Sequence, residues 1–308
     1  MFDDPHDAGQ RRECFRKDEG LEDYFTRLNA HLATFDQGGE SSGAAFPLIY
    51  IVGLPRSGTT LLSQLLSRYL PVGYINNLIA RFWRNPVVGI RLSQVVFGSD
   101  IRQKIELAST HGVTAEPWGP HEFGYFWRHW LRLDEAPTHK LSKTHLDSLD
   151  CTGLAMTLNR MAAAIEAPLV FKNIICGFQA EFLTKIRPNS LFILIERDPK
   201  AVAASLLRSR QQRYGDESVW WSLKPSTFDE IRCLPTAQAQ IERQIADGRS
   251  DFHAELLQSD VNLIRITYED LCRDPLNSIQ MVADASAALG YPMELLGSPP
   301  PLQAAINN

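Results

Sequence analysis

Apolar and polar positions along this 308-residue chain fall into two rhythms. Short, largely apolar runs lie at 48–52, 168–172, 190–195 and 261–266, and each reads as a strand; 190–195, a continuous apolar run, reads as buried on both faces. Pro71–Ile75 is a shorter candidate strand. Between the runs the period changes to that of a helix. Leu61, Leu62, Leu65, Leu66 and Tyr69 share one stripe after the first run, and a helix is predicted at about 177–186. Asp198-Pro199 supplies an N-cap and a first-turn proline for a helix to about 211. Asp274-Pro275 opens a last helix that Gly290 stops. Strands alternating with helices predict an α/β fold with a mainly parallel central sheet and right-handed crossovers, with ligands at the carboxyl ends of the strands.

Two stretches break the rhythm. Leu21, Tyr24, Phe25, Leu28, Leu32 and Phe35 predict a helix packed outside the core, and residues 1–20 are charged, unpatterned and expected to be mobile. Gln37–Gly43 reads as a flexible connector, so 1–47 is an N-terminal segment and 48–300 one α/β domain. Residues 81–160 are dense in Trp, His and Arg, including Trp83, His111, Trp118, His121, Trp127, His129 and Trp130. They predict a helical insertion on the acceptor side, in which core packing and pocket lining can coexist.

Composition adds bounds. Net charge is −5, which argues against a dedicated nucleic-acid binder while leaving room for a local basic pocket. The five cysteines, Cys14, Cys151, Cys176, Cys233 and Cys272, are odd in number and irregular in spacing, as expected for free thiols. The acidic N-terminus does not read as a signal peptide, and no apolar run approaches the roughly 18 residues of a membrane span.

The chemistry concentrates in Gly53-Leu-Pro-Arg-Ser-Gly-Thr-Thr60. Strand, glycine-bearing turn and helix aim backbone N–H groups and a helix N-terminus at one point, which suits phosphate or sulfate. Gly53 and Gly58 have Walker A spacing, but Thr59 stands where the nucleotide-triphosphate lysine is required. Arg56 restores a positive charge, as a planar fork of donors.

This loop resembles the 5′-phosphosulfate loop of the sulfotransferase superfamily, in the form found in protein-tyrosine and many bacterial members. Cytosolic animal enzymes usually carry Lys at the place of Arg56. The resemblance implies a P-loop NTPase-like three-layer fold and a sulfuryl donor, 3′-phosphoadenosine 5′-phosphosulfate (PAPS). Pro55, Arg56, Ser57, Gly58, Thr59 and Thr60 would hold its phosphosulfate. Arg197-Asp-Pro, with Ser205 eight residues after the arginine, is similar to the family's 3′-phosphate site. A guanidinium plus a hydroxyl suits a phosphate monoester. Lys172 stands where the family often has a lysine that contacts the transferring group.

The pattern departs from the family in two places. Ile174 occupies the position of the cytosolic enzymes' catalytic His, and 74–80 holds Asn76 and Asn77 but no carboxylate. Pro120-His-Glu-Phe-Gly124 is similar to a segment of bacterial members, so His121 and Glu122 stand level as candidate general bases, ahead of Glu116, His145 and Asp147. Lys143-Thr-His145 lies too far from Arg197 to be the family's Lys-Thr-His. Trp220 and Trp221 suit either stacking on a ligand or core packing, and Thr267–Leu271 reads as structural.

The expected activity is sulfuryl transfer from PAPS to a hydroxyl of a small-molecule, lipid or glycan acceptor. No metal is expected, and the cytoplasm is the expected location, because the family's Golgi members carry a transmembrane anchor. The alternatives are a kinase with a variant P-loop and a non-catalytic nucleotide-binding protein.

Overall fold

The structure, a computed structural model, describes residues 10–35, 46–109 and 112–302. The expected connector at 37–43 and His111 lie outside the described residues. Five strands, β1 (Leu48–Val52), β2 (Gly73–Tyr74), β3 (Leu169–Lys172), β4 (Ser190–Glu196) and β5 (Asn262–Thr267), form one sheet in the order β2-β3-β1-β4-β5. Every pairing is parallel.

β1 lies at the centre, and all five of its residues are fully buried. Leu48, Tyr50 and Val52 face one apolar core, and Ile49 and Ile51 face another on the opposite side. That two-sided burial explains why the run is continuous rather than alternating. Burying each aliphatic side chain is worth about 1.5–3 kcal/mol. Tyr50 stacks between Phe171 of β3 and Phe192 of β4, at 5.5 and 4.9 Å between ring centres, so aromatic pairs cross three neighbouring strands.

The predicted helices form with small boundary shifts. The helix after β4 spans Pro199–Tyr214, a turn longer than expected, with Asp198 accepting from the N–H groups of Lys200 and Ala201. The expected helix at 177–186 divides at Gln179, whose backbone is not helical (φ −126°, ψ 26°), into a 3-10 turn, Ile174–Phe178, which the Asn173 side chain caps at Ile175, and a helix, Ala180–Ile186. Residues 81–160 are helices and turns among the described residues, as read from the sequence.

The N-terminal helix runs Glu19–Leu32 as expected. Of the residues before it, 1–9 lie outside the described residues. In 10–18, Arg11 is 4% exposed and Arg12 donates its N–H to the carbonyl of Arg213, while most of the others are exposed. The positions carry no apolar period because arginines and a single Phe15 make the contact. Among the described residues no helix is long and apolar enough to cross a membrane.

Candidate active site

The loop after β1 folds as its glycines require. A Cβ on Gly53 would lie 2.4 Å from the carbonyl oxygen of Ile195, and Gly58, at φ +103°, faces the ring of Tyr268 at the same distance. Arg56 adopts a left-handed conformation, φ +69°, a strain of order 1 kcal/mol held in place by its surroundings. Its carbonyl accepts from Arg197 at 3.1 Å, and its Nε donates to Ser205 Oγ at 2.9 Å. The two anion-binding signatures, far apart in sequence, are therefore in direct contact. Ser205 Oγ accepts from Arg56 and keeps its own proton to donate.

Both signatures line one cavity of about 280 Å³ at the carboxyl ends of β1, β3, β4 and β5. Pro55, Arg56, Gly58, Thr59 and Thr60 line it, and Ser57 does not: its hydroxyl turns back to the carbonyl of Leu54 at 2.7 Å. Ser57 is thus a loop brace, which corrects its place among the cavity-facing residues. The helix Pro199–Tyr214 presents Ala201, Ala204, Ser205 and Arg208, a spacing that keeps them on one face. The small side chains leave room between the guanidinium groups. Burial first, then the charges of Arg197 and Arg208, lower the Arg56 pKa, the mark of cations crowded where an anion belongs.

Lys172 ends β3 nearly buried, at 3% exposure. Its Nζ donates to Thr60 Oγ1 at 3.2 Å and to the Gly112 carbonyl at 3.3 Å, and it pairs with Glu122 at 3.3 Å. Thr60, Gly112 and Glu122 all line the cavity, so the ammonium stands directly behind its wall. Asn173 Nδ2 donates to the Glu122 carbonyl at 2.8 Å, so consecutive residues at the end of β3 fix both side chain and backbone of Glu122.

Glu122 and His121 come from the insertion. Residues 114–122 are laid along the chain after β2: Tyr74 Oη donates to the Trp118 carbonyl, Asn77 Nδ2 to the carbonyls of Thr114 and Glu116, and the His121 N–H to the Ile75 carbonyl. Asn77, in the stretch that lacks the family's carboxylate, serves as this brace. Phe123 then turns through a left-handed conformation, φ +56°. Glu122 faces the cavity of the β1 loop, and His121 lines a second, larger cavity of about 450 Å³.

Their electrostatics separate them. Burial alone would raise the Glu122 pKa, but neighbouring positive charge, that of the Lys172 ammonium first, more than offsets it and holds the group well below the usual carboxylate range. Burial, aided by Lys172, lowers the His121 pKa to about 3. The Phe123 N–H donates to His121 Nδ1 at 2.8 Å, which places the neutral ring's proton on Nε2.

The other candidates separate as well. Glu116 lines the larger cavity. His145 Nε2 donates to the Leu131 carbonyl, and neither it nor Asp147 lines either cavity. Of the paired tryptophans, Trp221 lines the β1-loop cavity, while Trp220 packs on Phe228. Tyr268 corrects the reading of Thr267–Leu271 as structural: its ring lines the cavity and lies under the Arg197 guanidinium, 4.3 Å from centre to Cζ. Sequence reasoning also misses Arg208, though its spacing from Ala201, Ala204 and Ser205 marks the same helical face.

The model of the Sulfotransferase family matches residues 47–293. The chain belongs to the sulfotransferase family. Among solved structures, this sulfotransferase resembles sulfotransferase STF1 of Mycobacterium tuberculosis H37Rv at 17% identity and a TM-score of 0.53, over 89% of this chain and 76% of that one. Sulfotransferase STF9 of Mycobacterium avium gives 15% identity and a TM-score of 0.49, over 87% and 68%. The likeness to STF1 shows a shared fold. No curated protein sequence matches this sulfotransferase.

Proposed function

We propose that this sulfotransferase moves a sulfuryl group from PAPS to a hydroxyl group of a small-molecule or glycan acceptor, in the cytoplasm. The observation that carries the donor assignment is the contact of Arg197 and Ser205 with Arg56, which gathers cations and hydroxyls of two anion-binding signatures around one cavity. Among the described residues, Arg56, Arg197 and Arg208, with Lys172 behind the wall, face one lining carboxylate, Glu122. That balance suits a nucleotide carrying a phosphate at one end and a phosphosulfate at the other. PAPS supplies the activated sulfuryl group.

The chain's own residues then divide the work. The N–H groups of residues 58–60 and the hydroxyls of Thr59 and Thr60 bind the phosphosulfate end. Arg197 and Ser205 hold the 3′-phosphate, with Tyr268 fixing the guanidinium from below. Arg56 and Lys172 match the negative charge that grows on the bridging oxygen as its bond to sulfur breaks.

Glu122 takes the acceptor's proton. It is ionised and lines the donor cavity, whereas the His121 nitrogen left for the larger cavity already carries a proton. His121 is a hydrogen-bond donor that orients the acceptor. Glu122 is a weak base while Lys172 holds it. Engagement of Lys172 by a sulfuryl group loosens that hold and raises its basicity at the moment it is needed.

A thermal-shift comparison of adenosine 3′,5′-bisphosphate with ATP–Mg²⁺ tests the donor. Stabilisation by the bisphosphate is expected, and preference for ATP–Mg²⁺ would favour the kinase alternative. Radiolabelled sulfuryl transfer to any acceptor excludes a purely nucleotide-binding protein.

A further inference from the structure

The larger cavity meets the donor cavity across a thin wall. Ser109 lines both, and the adjacent residues His121 and Glu122 look into one each. Its lining is unlike that of a general-purpose apolar pocket. Phe15, Ala80, Ala108, Val113 and Tyr125 give it an apolar body. Around that body, among the described residues, stand Arg11, Lys17, Arg81, Arg128 and Arg213, with Glu106 and Glu116 also in the lining and Glu22 and Asp134 paired to the cations beside it.

These cations are held by neighbouring groups, although the Lys17 and Arg81 side chains are 40% and 41% exposed. Lys17 and Arg81 share the carboxylate of Glu22, at 3.2 and 3.1 Å, and Lys17 also donates to Tyr125 Oη at 2.7 Å. Arg128 pairs with Asp134 and is 18% exposed. Arg213, 7% exposed, lies between the rings of Phe15 and Trp221, 5.2 Å from each, and so joins the wall of one cavity to the wall of the other. Rings and neighbouring carboxylates thus orient cationic forks beside an apolar surface. The donor's anionic groups are met separately, by Arg56, Lys172, Arg197 and Arg208.

We infer that the larger cavity is the acceptor site and takes a hydroxyl compound bearing an anionic group, a carboxylate or a sulfate, on an apolar or aromatic body. The assignment rests on the sulfuryl-transfer reading for the word acceptor, and on the cavity alone for the ligand's charge. The anionic group lies toward Arg128 and Arg81, the ring or chain packs on Phe15 and Tyr125, and the hydroxyl reaches the His121–Glu122 wall. Residues 11–17, which bring Arg11, Phe15 and Lys17, become part of acceptor recognition.

Two fluorescent probes that differ only in a sulfonate test the charge requirement: 8-anilinonaphthalene-1-sulfonate and N-phenyl-1-naphthylamine. Each is titrated into the full chain with and without adenosine 3′,5′-bisphosphate, whose own binding is followed by thermal shift. With the bisphosphate present, the sulfonate is expected to bind at least about tenfold more tightly than the neutral probe, as one charge-assisted contact implies. Arg128→Gln should cost the sulfonate about fivefold to tenfold and leave the neutral probe unchanged, and Arg128→Lys should restore most of the loss. Arg81→Gln provides the same comparison at an independent position. Equal affinities for the two probes, or glutamine variants that bind the sulfonate as the wild type does, would overturn the inference. Failure of the bisphosphate to bind would count against the donor reading only, because Arg128 and Arg81 line the larger cavity and not the other, so their variants read its charge preference with or without the bisphosphate.

Discussion

The two cavities are built in different ways. Every cationic group of the donor site stands on a strand end or within the loop or helix that follows one: Arg56 after β1, Lys172 on β3, Arg197 and Arg208 after β4. Among the described residues the larger cavity is lined mainly by residues of 11–17, 106–109, 113–116 and 121–128, which no sheet register holds, with Ala80, Arg81 and, from the helix after β4, Arg213. Side-chain bridges fix them instead, such as Glu22 with Tyr125 and Arg81, and Asn77 with Thr114. On the proposed reading, a sheet positions the chemistry that meets the donor, and interlocked loops position what meets the acceptor. Changes on the donor side should therefore abolish the reaction, and changes on the other side should redirect it.

The largest effect is expected at the point where the two regions meet. Glu122→Gln should lower kcat by about 10²–10⁴-fold while the affinity for adenosine 3′,5′-bisphosphate stays within about threefold, measured by radiolabelled transfer and by calorimetry. A larger loss at His121→Gln than at Glu122→Gln would reverse the assignment of the base.

Lys172→Met comes next, with kcat lower by about 10²–10³-fold. It also removes the foremost of the positive charges that hold the Glu122 pKa down. The Glu122 pKa should then rise, so the acid limb of the pH–rate profile should move to higher pH than in the wild type. An unmoved acid limb would separate Lys172 from the base.

Gly58→Ala sharpens the comparison on the donor side. A side chain there meets Tyr268 and adopts an unfavourable backbone, which should cost about 1–2 kcal/mol of stability and weaken bisphosphate binding. Thermal unfolding with and without the ligand measures both.

The smallest effect is expected at His121. His121→Gln should lower kcat/KM by less than about tenfold and leave the pH profile between about pH 5.5 and 8 unchanged, because an imidazole with a pKa near 3 does not titrate there. The sign for stability follows from linkage. The unfolded chain takes up this proton near pH 6.5 and the folded chain only near pH 3, so the native state loses stability as the pH falls below about 6.5. Acid unfolding of His121→Gln should lack that contribution.

Much of the donor side is legible in the amino-acid sequence. Ile49–Val52 is apolar on both faces because β1 is central, and the glycines of the loop announce the close approaches to Ile195 and Tyr268. Arg197 and Ser205 belong to a local spacing on a capped helix. Tyr268 escapes because nothing in Tyr-Glu-Asp-Leu shows that its ring crosses to Gly58 and Arg197. The acceptor side is legible as a region and not as a site. Arg11, Phe15 and Lys17 have no periodicity, and their role depends on contacts with Arg213 and Tyr125, both remote in sequence. The choice between His121 and Glu122 needs the Phe123 N–H and the Lys172 ammonium, whose positions are products of the fold.

The central claim is that the two anion-binding signatures hold one nucleotide, and calorimetric titration of adenosine 3′,5′-bisphosphate into the wild type and Arg197→Ala tests it most directly. The account predicts clear binding to the wild type and a loss of at least about tenfold in the variant, as expected for removing a charged donor from a phosphate. Wild-type affinity in Arg197→Ala would contradict it.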